Sequence, residues 1–418
     1  MESYVLEWAN LLLRWLHVIT AIAWVGSSFY FVFLDSNLTP PQDEDLKRQG
    51  VNGELWAVHG GGFYHPVKFN VAPPRLPGHL HWFYWESYST WLSGFALLAV
   101  SYLWHANIYL VDPANPDALH PHAAVGAALA FLVVFWLLYD GICRIFGQRR
   151  HGDAIVGGLV LVLVGFAAWL ACRIFPGQAA FLLMGAMLAT AMSANVFFWI
   201  IPGQRTVVKD LQQGRPVDPI HGQRGKQRSV HNTYFTLPVL FAMLSNHYGW
   251  LYNHAQNGLV LVLMMFAGAA IRQFFVMRHG HRLGRNRHPW PYALAGVLVL
   301  AAVAVWLRPA QPVPLAAAPA PAPAPAAVAE GIPGIPGIPE YGQMQALLTQ
   351  HCVVCHSSAT LAQKNVKLDT PEEVKRHAVQ LYQQVVVLRK MPFGNPQALS
   401  ADERDLVKRW YEGGAPVR

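Results

Sequence analysis

Stretches such as VGAALAFLVVFWLLY (125–139) and AIVGGLVLVLVGFAAWLACRIF (154–175) approach or reach the length at which a helix crosses hydrocarbon, and they carry almost no charge. A chain with several such runs has to place them somewhere dry. The composition agrees: 53% of the 418 residues are hydrophobic and 13% charged, where a soluble domain has about 25% charged. The sequence reads as an integral membrane protein.

Hydropathy predicts eight spans, near 10–33, 83–105, 123–143, 154–175, 179–201, 232–247, 256–275 and 290–307. The expected fold is therefore all-α, an eight-helix transmembrane bundle. With the amino terminus outside, the inward loops hold Lys47, Arg48, Lys68 and Arg75, then Arg144, Arg149 and Arg150. The third inward loop holds Arg205, Lys209, Arg215, Arg224, Lys226 and Arg228, and the fourth holds Arg278, Arg282, Arg285 and Arg287; the outward loops hold only Arg173. This asymmetry puts both termini outside the cytoplasm. It also accounts for most of the net charge of +8, which therefore gives no reason to expect a nucleic-acid partner; the lipid bilayer is the expected one. The first apolar stretch is too long for a cleaved signal and lacks a small-residue cleavage site, so it stays as a span. Cys143 and Cys172 end successive spans on opposite faces, about 30 Å of hydrocarbon apart, and cannot pair.

After Arg308 the composition changes to PAQPVPLAAAPAPAPAPAAVAEGIPGIPGIP, which cannot bury a core and should run as an extended tether. Three parts follow: a membrane region 1–308, a linker 309–340 and a short polar domain 341–418. The domain ends in LSADERDLVKRWYEGG, where Ser400 and Glu403 form a capping box and Leu406, Val407, Trp410 and Tyr411 an apolar stripe. SSFYFVFLDSNL and ANVFFWIIPGQR lie at the inner ends of the first and fifth spans; a 4+4 duplication or an interfacial aromatic belt explains the likeness equally.

The polar domain contains CVVCH (352–356). Two thiols two residues apart, with His immediately after, suit covalent attachment of one haem c: Cys352 and Cys355 bond the porphyrin and His356 takes the iron. A zinc site would need a second cysteine pair at suitable spacing, and none exists. Met391 in KMPFGN, 35 residues beyond His356, is the candidate second iron ligand. Such a pair raises the potential of the iron and suits an electron acceptor. Met344 is the weaker alternative, being eight residues before the motif in an expected helix. The domain resembles a small cytochrome c of class I type, completed outside the cytoplasm, where the charge count also places it.

An electron acceptor implies a donor site in the membrane region. The densest polar cluster is HGGGFYHPVKF (59–69) with PGHLHWFYWES (77–87). It offers His65 and His81 as bases, Lys68 and Arg75 as cations and Glu86 as a carboxylate, with glycines for close backbone approach and aromatic rings to stack a planar substrate. Taken singly, each also fits an interfacial belt. His17 and His247 fall toward the outer ends of the first and sixth spans. Facing histidines could hold a non-covalent haem b, or each could hydrogen-bond a neighbouring helix; the pattern allows both.

The order of parts resembles the bacterial integral-membrane urate hydroxylases, also called urate oxidases, over essentially the whole chain. The likeness is carried by LHVITAIAWVGSSFYFVFLD, the HGGGFYHPVKF to HWFYWESYSTWLSG block, SVHNTYFTLPVLF, and CVVCH with KMPFGN. It implies oxidation of urate to 5-hydroxyisourate in the bacterial inner membrane, with electrons passing to the fused periplasmic cytochrome c and on to a respiratory acceptor without hydrogen peroxide. The first span is also similar to that of small membrane haem-b proteins of the bacterial protoporphyrinogen oxidase type, which points to His17 as a ligand. In such chemistry Lys68 or Arg75 would hold the urate charge, and His65 or His81 would take a proton from attacking water. The rival readings are a dehydrogenase for a quinol or another small reductant, and a non-catalytic electron-transfer subunit.

Overall fold

The computed structural model describes residues 2–69, 72–111, 118–308, 339–353, 356–357, 366–387, 391–392 and 399–417. Helix α1 (Glu2–Asn37) leads to a single turn, α2 (Glu44–Arg48), four short strands, and α3 (Trp85–Leu98), which continues as a π-helical turn (Ala99–Leu103). Next come α4 (Ala106–Tyr109), α5 (Pro121–Phe146), α6 (Gly152–Ile174) and α7 (Gly177–Asn195), which runs through a π turn (Val196–Ile200) into α8 (Ile201–Gln212). The region up to residue 308 closes with α9 (Pro219–Leu244), α10 (Gly249–Tyr252), α11 (Asn257–Arg282) and α12 (Trp290–Trp306).

Each of the eight expected spans lies on one of these helices, but they are not equivalent. Five, on α1, α5, α6, the α7–α8 unit and α11, are long and apolar enough to cross a membrane. Helix α12 is apolar but only 17 residues long. The π turn ends the regular part of α3 at Leu98, and the first half of α9, PIHGQRGKQRSVH, is polar, so neither forms a long apolar helix. The π turn before α8 precedes Pro202, which has no N–H for the carbonyl one turn back and collides with it; the bulge absorbs that conflict.

Helix α7 is apolar on every side, and accordingly it is the centre: Phe181, Leu183, Met184, Met187 and Leu188 are fully buried among α3, α5, α6 and α9. Helix α3 packs on α1, α12 packs on α11, and α11 bridges α1, α6 and α9. Large apolar side chains such as Trp15, Ile22, Val162, Phe166, Leu298 and Val305 stand outward, while Asp140, Asn195, Arg228 and Arg272 lie inside.

The first loop departs from the all-α expectation. Strand β1 (Val51–Glu54) pairs antiparallel with β4 (Val67–Phe69), and β2 (Ala57–His59) pairs with β3 (Gly62–Tyr64) in a nested hairpin. Gly60 and Gly61 form its two-residue turn with φ of 58° and 82°, a conformation that favours glycine at both positions. These glycines serve the turn.

Beyond residue 338, α13 (Tyr341–His351), α14 (Pro371–Arg376), α15 (Ala378–Tyr382) with a π turn (Gln383–Val387), and α16 (Ala401–Glu412) gather around Met344, Leu348, Val374, Val407 and Trp410. The capping box forms as expected: Ser400 Oγ accepts from Glu403 N at 3.2 Å, and the Glu403 carboxylate accepts from Ser400 N at 2.7 Å. The carboxylate's bonds from Ser400 N and, at 2.8 Å, from Ser400 Oγ hold the Glu403 carboxyl below the usual range.

Candidate functional site

Helix α13 delivers Cys352 to the edge of the small C-terminal core, with its N–H donating to Leu348 O at 2.8 Å. One turn on, His356 N donates to Cys352 O at 2.9 Å and His356 O accepts from Leu368 N at 2.8 Å. The ring is set by a third bond, from Nδ1 to the Val366 carbonyl at 3.0 Å. A carbonyl can only accept, so Nδ1 carries the proton and Nε2 keeps the lone pair that metal coordination requires. Met391 is half-buried against the same core, whereas Met344 is wholly enclosed within it. Cys355 lies outside the described residues. The donor types present fit a haem c held by Cys352, His356 and Met391.

In the first loop the structure turns two candidates into pairs. His65 follows β3 and stacks on Trp56, with centroids 4.0 Å apart and planes 8° from parallel. Its Nε2 meets Glu54 Oε2 at 2.6 Å. The carboxylate also accepts from Gln42 N at 2.8 Å, and these two bonds, the backbone one first, hold the Glu54 carboxyl below its ordinary range. An ionised Glu54 makes Nε2 the donor and leaves Nδ1 as the basic nitrogen, the arrangement of an oriented general base.

Lys68, offered as a cation for the substrate, has an ion-pair partner. Its Nζ pairs with Asp35 Oδ1 at 2.5 Å, so Asp35 already answers its charge. Arg75 is exposed at a bend. His81 is exposed with its edge on Phe83 at 4.6 Å, and Phe83 meets Phe31 of α1. Glu86 opens α3 with Oε2 buried and without a hydrogen-bond partner. His65 and His81 are therefore held by different partners, and no contact among the described residues joins them.

His17 and His247 differ in their surroundings. His17 Nδ1 donates to Thr90 O at 3.1 Å, and its ring lies so close to Gly94 that a side chain there would meet Cε1 at 2.7 Å. His247 is exposed, next to Asn246, which accepts from Tyr102 at 3.0 Å. No hydrogen bond or ring contact among the described residues joins His17 to His247. His17 makes a hydrogen bond to a neighbouring helix, and with Nδ1 donating its Nε2 keeps the lone pair, a tautomer that both readings of this residue allow.

The largest polar assembly was missed in the sequence. Asp140 of α5, 4% exposed, accepts from Arg228 Nη2 and Trp199 Nε1, both at 2.7 Å, and from Arg144 Nε at 2.6 Å. Arg228 Nη1 donates to Asn195 Oδ1 at 3.2 Å, and Asn195 Nδ2 donates to Tyr139 Oη and Asn232 Oδ1, both at 2.9 Å. The Tyr139 hydroxyl reaches His231 Nδ1 at 2.8 Å. Arg228, read as a loop charge, instead lies inside α9 at 3% exposure. A second buried arginine, Arg272 of α11, lies over the Phe29 ring of α1 at 3.8 Å. The available signal was a lone acid in FWLLYDGIC and a lone cation in GAAIRQFF, each inside an apolar span.

A family model described as urate oxidase N-terminal matches residues 3–308, the stretch from α1 through α12. No curated protein and no solved structure matches the chain. The match covers well over half of the sequence and includes both the Glu54–His65 pair and the two buried arginines: the chain belongs to the urate oxidase N-terminal family.

Proposed function

We propose that this protein is a membrane-embedded urate hydroxylase that passes electrons to its own cytochrome c domain. The observation that carries the reading is the continuity of a urate oxidase family region, residues 3–308, with a CVVCH segment in which His356 is held in the coordinating tautomer. Outward apolar side chains on five membrane-length helices support placement in a bilayer. The inward charge excess supports both termini outside the cytoplasm, with the cytochrome domain periplasmic.

The reaction balances as urate plus water giving 5-hydroxyisourate, two protons and two electrons. The new C–O bond forms from water, so no oxygen is reduced and no hydrogen peroxide is released. His65 Nδ1 takes the proton of the attacking water, and Glu54, bonded at Nε2, stabilises the imidazolium that results. The Trp56 stack fixes the ring plane. Haem c, when bound, supplies a one-electron acceptor that a respiratory partner reoxidises. Membranes containing the chain, given urate and an excess of a one-electron acceptor such as ferricyanide in oxygen-18-labelled water without dioxygen, should form labelled product. Incorporation from dioxygen, or an absolute need for it, would overturn the reading.

A further inference from the structure

We propose that the Nε–Nη2 edge of Arg272, at the junction of α1, α9 and α11, is the seat of the substrate's negative charge. Only the identity of the anion rests on the urate hydroxylase reading; the seat rests on geometry. Arg272 is 6% exposed, yet neither Nε nor Nη2 has an acceptor, and no carboxylate pairs with it among the described residues. Those two N–H groups lie side by side on one edge of the guanidinium and match two coplanar acceptor atoms. The Phe29 ring beneath fixes the guanidinium plane.

The next residue gives a second, independent sign of a missing acceptor. Gln273 Nε2 donates to the Met277 thioether at 2.9 Å, a weak acceptor, while Gln273 Oε1 takes the Tyr234 hydroxyl of α9. Among the described residues the Arg272 fork thus lacks an acceptor, and the neighbouring Gln273 amide has only a thioether. A purine monoanion, with its adjacent ring nitrogen and carbonyl oxygen, supplies the coplanar pair; a neutral quinol does not. A carboxylate shares this chemistry, and a haem propionate is its other source.

The test uses the full-length chain in detergent, with urate oxidation read at the haem and urate binding measured on chemically reduced protein, which cannot turn over. Arg272→Gln and Arg272→Lys should each raise KM and Kd about tenfold or more, with kcat changed about threefold or less, because the planar fork is lost in both. Arg278→Gln on the same helix should leave both constants unchanged. Unchanged KM and Kd in a folded Arg272 variant would overturn the proposal, as would loss of a non-covalent haem with urate binding intact, which would assign the fork to a propionate. Arg272→Lys decides the matter if Arg272→Gln does not fold. Should the wild-type chain neither oxidise nor bind urate, the hydroxylase reading fails by itself. Benzoate, a planar monocarboxylate, then tests the seat: binding that depends on Arg272 sustains it, and binding that does not, or none, overturns it.

Discussion

Arg228 and Arg272 lie on neighbouring helices at 3% and 6% exposure, yet their surroundings differ. Arg228 meets Asp140 and Asn195, and Asp140 is further held by Trp199 and Arg144. Arg272 has an aromatic ring beneath it and, among the described residues, no acceptor on one edge. A buried charge with a full set of partners fastens helices together. One with an open edge costs stability, and a fold keeps such a group where a ligand completes it. The contrast separates structural from functional charge in a region where both look alike in sequence.

The largest effect should come from breaking the satisfied member. Asp140→Asn leaves Arg228 buried beside a neutral amide and should cost about 3–5 kcal/mol, seen as a large fall in thermal midpoint in detergent; a small fall would mean that water reaches the network. Arg272→Met should act with the opposite sign. Removing an unsatisfied donor edge should leave the ligand-free midpoint unchanged or raise it, by about 1 kcal/mol. A loss as large as that of Asp140→Asn would reveal an acceptor for Arg272 within the fold.

Glu54 sharpens the comparison from outside the apolar helices, since its partners are a backbone N–H and His65. Its folded pKa lies below the ordinary value of an unfolded glutamate carboxyl. Its contribution to stability is therefore fully present above that value and lost as pH falls from there through the lowered folded value. Glu54→Gln should flatten the acid limb of the unfolding profile; an unaltered limb would show that Glu54 does not govern it. The smallest effect belongs to Lys68, which is half-exposed and paired with Asp35. Lys68→Gln should cost about 0.5 kcal/mol or less and change the urate KM by about twofold or less. A tenfold rise would return the anion site to the first loop.

The helices were legible in the sequence wherever apolar length defined them. The α16 cap and its buried Val407 and Trp410 followed equally directly from a local motif. Hydropathy failed where a helix outlasts its apolar stretch. Helix α9 begins at Pro219, well before the apolar part expected at 232, and it carries Arg224, Lys226 and Arg228 that had been counted as loop charge. The β hairpins were missed because their strands are three or four residues long and lie in a loop rich in His, Gly and Pro. In the candidate site, His65 was visible as a base. Its partner Glu54, eleven residues earlier, and the orphaned edge of Arg272 emerge only from tertiary contacts, which no spacing rule encodes.

The central claim, that electrons from urate reach the iron on the same polypeptide, is tested most directly by anaerobic titration of the purified, haem-loaded chain with urate. The account predicts reduced cytochrome c absorbance with about two haem equivalents gained per urate consumed, until all haem is reduced, as the two-electron balance requires. A haem that dithionite reduces fully but that stays oxidised under excess urate would contradict it.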